Sequence, residues 1–216
     1  MERDDVILYC PLISTYGRIA AMVAEESGAS WSIVPTDPRA KEALARQPFG
    51  KSPAAIVAHT ELYESVAICQ LIDDTFNDGQ LQASAPVDKA RMNQWLSIAN
   101  CYIFPTTEMG LVAPLLLLPA QGFEPRTDIA ERHLPMISRQ FDIVEERLRQ
   151  ALFLAGLKFS LADIFLYVMM DAVMHTAEGK ALLEERAAIR RWFVRVGHRP
   201  SAKATAWPRG LATGGA

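Results

Sequence analysis

Pro48-Phe49-Gly50-Lys51-Ser52-Pro53-Ala54-Ala55-Ile56-Val57, followed closely by Leu62-Tyr63-Glu64-Ser65, is the stretch on which the reading of this chain turns. A turn leads into a proline that opens a short apolar run. A second short run then ends in an acidic–hydroxyl pair at the start of a helical pattern. Proline cannot donate to a sheet ladder, so Pro53 belongs at the first position of a strand, with a cis bond as one way of placing it. Ser65 is suited to cap the helix that carries Val66, Ile68, Leu71 and Ile72. A pre-proline amide and a helix N-terminus brought together would aim several N–H donors into one space, which suits an anionic, peptide-like ligand. A plain strand start and an ordinary cap account for the same residues, so both readings stand at this point.

Upstream, Val6-Ile7-Leu8-Tyr9 reads as a short buried strand stopped by Cys10-Pro11. Ser14 to Glu26 is helical, with Ile19, Met22 and Val23 on the inner face and Arg18, Glu25 and Glu26 toward water. Ser14 or Thr15 caps it and Gly28 ends it. Trp31 to Val34 is a second strand, residues 39–46 a short helix, and residues 54–57 and 60–63 two further strands joined at Ala58-His59. A helix follows from Ser65 to Phe76. The strand–helix–strand half predicts parallel pairing, and the tight link predicts a hairpin, although Ala-His lacks the Asn-Gly chemistry that favours one. A mixed four-stranded sheet covered by helices is the simplest result. Residues 78–86 are polar and aperiodic, so they are read as a linker between a domain at 1–77 and one at 87–216.

Beyond the linker every pattern is helical. Met92, Trp95, Leu96, Ala99, Tyr102 and Ile103 form one apolar stripe, which Pro105 bends or ends. Ile137, Phe141, Val144, Leu148 and Leu152 form another, with Glu145, Glu146, Arg147 and Arg149 on the wet side and Pro135 at its start or at a kink. Ile164 to Val173 is apolar on every face and belongs in the middle of a bundle; Ser160 and Asp163 before it have capping-box spacing and a structural role. Trp192, Phe193 and Val196 face inward on the helical region 179–198, whereas Arg186, Arg190 and Arg191 read as a solvated face. From Pro200 to Ala216 the composition is that of a loosely held tail.

Composition narrows the function classes. Half of the 216 residues are hydrophobic, enough for a sizeable core, and the net charge of −3 with a pI near 5.8 argues against nucleic acid as a partner. Cys10, Cys69 and Cys101 are odd in number without metal-ligand spacing, which fits a reducing cytoplasm and no metal site. Cys69 and Cys101 read as buried. The greasiest segment, Leu111 to Pro119, is shorter than a membrane span and interrupted by prolines, so a soluble protein is expected.

Three side chains near the end of the first strand bear on thiol chemistry: Tyr9, Cys10 and Ser14. A hydroxyl at a helix N-terminus can donate to a thiolate while the helix dipole favours the same charge, which lowers the pKa of a bound thiol. Ser14 fits that role, and plain N-capping fits it equally. Cys10 before Pro11 fits a redox nucleophile, but no second cysteine follows at the required spacing, and a buried inert thiol is the alternative. Core packing is the simpler role for Tyr9. The residues thus lead to an α/β thioredoxin-like N-terminal domain with a mixed four-stranded sheet, an all-α C-terminal helical bundle and a possible cleft for an anionic peptide.

Over nearly its whole length the chain resembles the glutathione S-transferase superfamily. Ser14-Thr15-Tyr16-Gly17-Arg18 to Glu25-Glu26 is similar to the first-helix segment of phi-type and related bacterial members. Gln47-Pro48-Phe49-Gly50-Lys51-Ser52-Pro53 resembles the family's Asn-Pro-x-Gly-x-Val-Pro stretch, and Glu64-Ser65 with Ala67-Ile68 its Glu-Ser-x-Ala-Ile motif. Phe153-Leu154-Ala155-Gly156, Ser160-Leu161-Ala162-Asp163 and Arg199-Pro200 are similar to the helical-domain signatures. The resemblance implies a transferase that uses glutathione as co-substrate, without a metal. Pro53 would be its cis-proline and Ser52 would pair through its backbone with the cysteinyl unit. Glu64 and Ser65 would hold the γ-glutamyl end, and Lys51 and Arg39 the glycyl carboxylate. Ser14 would be the activating hydroxyl, with a small hydrophobic electrophile beside it against Leu12, Ile13 and the helix carrying Trp95 and Tyr102. A homodimer is implied as well. Ser52 stands where Val or Ile is usual, Gln47 replaces Asn, and Lys158 lies near a usually acidic position. Cys10-Pro11 also resembles the Cys-Pro of omega-type members, with one residue inserted, which implies a glutathione-dependent thiol–disulfide reductase as the alternative. A non-catalytic binding scaffold on the same fold is the third reading.

Overall fold

The computed structural model describes residues 5–207, which fall into two compact units. Of the described residues, the first contains those up to Lys89 together with His198–Ala206, and the second contains Ala90–Gly197 and Trp207. The boundary therefore lies just beyond the segment read as a linker, and the chain returns to the first unit near its end.

In the first unit β1 (Val6–Cys10) leads through α1 (Thr15–Glu26) to β2 (Trp31–Pro35), and α2 (Lys41–Arg46) precedes the hairpin β3 (Ala54–Val57) and β4 (Thr60–Tyr63). The sheet order is β2-β1-β3-β4, with β1 parallel to β2 and antiparallel to β3. Strand alternation turns Val6, Leu8 and Cys10 inward, and all three are buried. α1 and α3 (Ser65–Phe76) bury Ile19, Met22, Val23, Ile68, Cys69 and Ile72. The hairpin forms without Asn-Gly because Ala58 and His59 both take positive φ, 44° and 73°, the twist a two-residue link between strands requires.

Several side chains of this unit differ from the sequence reading. Arg18 is buried rather than wet: its Nε donates to the Thr205 carbonyl at 2.9 Å. Glu26 accepts two bonds from the Arg199 guanidinium, at 2.5 and 2.6 Å, and a third from the Ser201 hydroxyl. Both contacts hold a short helix, Pro200–Ala204, in which Ser201 and Ala202 are buried. The segment from Pro200 to Trp207 is thus not a loose tail; the rest of that reading, 208–216, lies outside the described residues. The supposed linker is anchored too, since the buried Asp73 carboxylate accepts the Leu81 N–H at 3.1 Å.

The second unit is helical. Pro86–Ala120, here α4, is one helical run of 35 residues, so Pro105 does not end it. The reason is a shift of ladder: Ala99–Ile103 and Glu108–Leu117 are π-helical, with the Phe104 N–H bonding the Ala99 carbonyl and the Leu118 N–H the Ala113 carbonyl. The Thr106 and Thr107 hydroxyls and the Gln140 amide supply donors to the Tyr102 and Ile103 carbonyls next to Pro105. Leu111–Pro119 lies within this longer helix, which is long and apolar enough to cross a membrane by length and composition only; 39% of its most apolar window is buried. Along it Met92, Trp95, Leu96, Ala99 and Ile103 are buried, while Tyr102 (61% exposed) and Cys101 face solvent, contrary to expectation.

α5 (Thr127–Gln150) starts a full two turns before Pro135. Leu152 lies past its end and is exposed. Glu145 is not on a wet face: its carboxylate accepts the N–H groups of Ala188 at 3.0 Å and Ile189 at 2.9 Å, which open α8. α6 (Leu161–Val173) is buried almost throughout, followed by α7 (Ala177–Glu184) and α8 (Ala187–Gly197). Arg186 is also buried rather than solvated, and donates to Asp142, Ser138 and the Leu182 carbonyl. Asp163 accepts from Leu154 N, Ser160 N, Ser160 Oγ and Trp192 Nε1 at 2.9–3.1 Å, as its structural reading requires.

α1 packs tightly against the end of β1 at Gly17. A Cβ added at Gly17 would lie 2.4 Å from Cys10 Sγ. Gly17→Ala should therefore destabilise the protein by about 1–3 kcal/mol in urea denaturation. Cys10→Ala removes the obstructing sulfur, so the double variant should be more stable than the summed single effects predict. Strict additivity would show that the two residues do not meet.

Candidate functional site

The register of the hairpin collects the candidate residues. Ala54 pairs with both Tyr9 of β1 and Tyr63 of β4, so Ser52-Pro53, Cys10-Pro11 and Glu64-Ser65 all flank one end of the sheet, opposite the Ala58-His59 turn. The Ser52–Pro53 peptide is cis, as the resemblance implied. Glu64 takes φ 74° and ψ 115°, a conformation L-residues rarely adopt, and directly precedes α3. Its carbonyl accepts the Ile68 N–H at 2.9 Å, which makes Glu64 the cap and Ser65 the first helical residue. Ser65 is thus not the N-cap. The first amides of α3 are left without helical partners, beside the exposed Glu64 and half-buried Ser65. An exposed carboxylate and unpartnered amides together suit a zwitterionic end group, with ammonium on one and carboxylate on the other.

Ser14 caps α1: its Oγ accepts the Gly17 N–H at 3.1 Å. Its own N–H donates to the Pro11 carbonyl at 2.9 Å, which fixes the loop from β1 into the helix. The Ser52 hydroxyl lies 3.2 Å from Ser14 Oγ. Capping and thiol activation are not exclusive, because capping uses an oxygen lone pair and leaves the O–H proton to donate. Ser14 is half-buried, and either hydroxyl of the Ser14–Ser52 pair can be the donor.

Cys10 does not share this access. It is 1% exposed beneath α1, and burial pushes its thiol up to about 12. A thiol so protonated and covered is a poor nucleophile at neutral pH, which agrees with the buried, inert reading of Cys10 and tells against its alternative as the working residue. Tyr9 is not simply core: it is half-buried, and the Arg46 guanidinium stands 4.3 Å from its ring centre.

The loop before Pro53 has a brace that sequence reading treated only as a departure. Gln47 is buried, and its Oε1 accepts the Phe49 N–H at 2.6 Å and lies 3.5 Å from the Lys51 amide. The longer side chain thus reaches forward to organise the turn. Lys51 is exposed at its end. Arg39 is exposed before α2, its backbone N–H on Asp37, and no described contact joins its side chain to the other candidates. Among the described residues no group of three or more His, Cys, Asp and Glu is placed to hold a metal.

Comparison with known proteins gives a consistent result. Residues 8–80 match the model for the glutathione S-transferase N-terminal domain and residues 103–200 that for the C-terminal domain. The chain is 30% identical to glutathione S-transferase F7 of Arabidopsis thaliana over 160 residues, 73% of this chain and 76% of the relative. It is 28% identical to glutathione S-transferase 4 of Zea mays over 216 residues, covering 95% and 94%. The crystal structure of glutathione transferase F2 from Populus trichocarpa superposes with a TM-score of 0.84 at 25% identity, over 93% of this chain and 96% of that one.

The differing environments of the cysteines predict a labelling order. Iodoacetamide applied to the native protein should modify exposed Cys101 and leave buried Cys10 and Cys69 until denaturant is added, as read by peptide mass spectrometry. Prompt native labelling of Cys10 would contradict its placement beneath α1.

Proposed function

Because the chain belongs to the glutathione S-transferase superfamily, with phi-like relatives, we propose that it joins the thiolate of glutathione to a small hydrophobic electrophile. The observation that carries this reading is Ser14 Oγ at the N-terminus of α1, with its acceptor side engaged by Gly17 N–H and its proton left to donate. Glutathione would lie along the end of the sheet. Its γ-glutamyl ammonium would meet Glu64, its γ-glutamyl carboxylate Ser65 and the first amides of α3, and its cysteinyl backbone the main chain of Ser52 ahead of Pro53. Lys51, with Arg39, would meet the glycyl carboxylate. On binding, the thiol proton passes to solvent. The sulfur then accepts the Ser14 O–H, and the ionised sulfur attacks the electrophile by substitution or addition. A charge-assisted hydrogen bond is worth about 1.5–3 kcal/mol, which is roughly one to two orders of magnitude in thiolate population. Holding the two reactants together supplies the remainder of the rate.

A homodimer is part of the proposal. It is supported by the family resemblance and by Phe49, which is 70% exposed on the loop before β3 with its ring centre 6.2 Å from that of Tyr63. A cytoplasmic location fits three unpaired cysteines. The reading involves no metal, nucleic acid or membrane.

Ser14→Ala should lower kcat/KM for conjugation of a halo-nitroaromatic at least tenfold, on the hydrogen-bond energy above, while the variant stays bound to immobilised glutathione. Cys10→Ser should retain conjugation. Equal rates for wild type and Ser14→Ala would refute the role of the hydroxyl, and failure of the wild type to bind the column would refute the ligand.

A further inference from the structure

Ser52 carries a hydroxyl at a position where the resembling sequences usually carry Val or Ile, and that hydroxyl is 3.2 Å from Ser14 Oγ. We propose that Ser52 is a positioning residue for the thiol chemistry: its O–H donates to Ser14 Oγ and thereby commits the Ser14 proton to the bound sulfur. This rests on the reading of Ser14 given above and adds a second group to it.

Donors and acceptors around Ser14 Oγ can be counted. A serine hydroxyl has one proton to give and two lone pairs to fill. The first lone pair of Ser14 takes the Gly17 N–H at 3.1 Å. Without a ligand, either hydroxyl of the Ser14–Ser52 pair can be the donor. A thiolate is a stronger acceptor than a hydroxyl, so once it is bound the Ser14 proton turns to it. One arrangement within the pair then satisfies every group: Gly17 N–H and Ser52 O–H both donate to Ser14 Oγ, and Ser14 O–H donates to sulfur. Two donors on one oxygen polarise its O–H bond, and hydrogen bonds in such chains strengthen one another. Valine at position 52 would leave that second lone pair without this donor.

Both hydroxyls sit on loop residues anchored next to regular structure. Ser14 is fixed by its cap bond and by its N–H on the Pro11 carbonyl at 2.9 Å. Ser52 lies two residues before Ala54, which is paired to Tyr9 on one side and Tyr63 on the other. Neither serine is fully exposed. A hydroxyl pair held in this way can influence a third atom without rearranging, the condition under which preorganised donors act.

The test is the pH dependence of kcat/KM for the electrophile at saturating glutathione in the wild type, Ser52→Val, Ser52→Ala, Ser52→Thr, Ser14→Ala and the Ser14→Ala/Ser52→Val double variant. Ser52→Val and Ser52→Ala should each raise the apparent thiol pKa by about half a unit, roughly a threefold loss of thiolate at a fixed pH below it. KM for glutathione should move less than about twofold, because the main-chain contact survives. Ser52→Thr keeps a hydroxyl and should restore the wild-type profile. In the Ser14→Ala background the Ser52→Val change should shift nothing further, since the oxygen it acts through is gone. A raised pKa in Ser14→Ala with an unmoved one in both Ser52→Val and Ser52→Ala would overturn the role of Ser52 and leave Ser14 standing. An equal shift in the presence and absence of the Ser14 hydroxyl would also overturn it. An unmoved pKa in Ser14→Ala would instead remove the premise.

Discussion

The contact between α1 and the end of β1 governs the rest of the first unit. Gly17 lets the helix descend onto Cys10, where any side chain would meet the sulfur at 2.4 Å. That approach places the N-terminus of the helix, and Ser14 with it, over the strand end and beside Ser52. It also buries Cys10 and makes its thiol inert. One steric condition therefore separates the two neighbouring groups: it leaves the Ser14 hydroxyl half-buried and covers the Cys10 thiol. The same close packing excludes the thiol–disulfide reading, because exchange needs an accessible thiolate.

A second constraint comes from polar groups that fold into the interior. Glu145 shows the balance. Burial opposes its anion, yet the N–H groups of Ile189 and Ala188, together with the Arg149 guanidinium, outweigh that penalty and hold its pKa below the usual carboxylate value. Asp163 lies deeper, and there burial prevails, pushing its carboxyl up to about 6 despite four donors. Both carboxylates tie together segments distant in sequence, Asp163 reaching Trp192 and Glu145 the start of α8. Truncating one partner of such a contact strands the other, which is why these residues matter to the helical unit although they touch no ligand.

Much of this was legible in the sequence, for a physical reason in each case. β3, β4 and α3 fall on the predicted residues because Pro53, the Ala58-His59 link and the step into Ser65 are local punctuation. A mixed four-stranded sheet was expected, but the strand order and register that collect Ser52, Pro53, Glu64 and Ser65 at one sheet end came only from the structure. What periodicity could not report was the destination of long polar side chains. Arg18, Glu26, Glu145 and Arg186 have the spacing of a wet face, and each is drawn inward by a partner more than forty residues away. Pro105 likewise looked like a helix end because the π-helical shift and the threonine hydroxyls that accommodate it leave no simple pattern. The cap of α3 moved by one residue because the positive φ of Glu64 is a tertiary choice that no propensity encodes.

The central claim is that this site binds glutathione and keeps its sulfur ionised. Direct titration of the thiol in the wild-type complex, followed by the ultraviolet absorbance of the thiolate, tests it most closely. The account predicts half-ionisation at least about one unit below the value near 8.5 of an unperturbed thiol. A bound thiol titrating at that unperturbed value, or above it, would contradict the account.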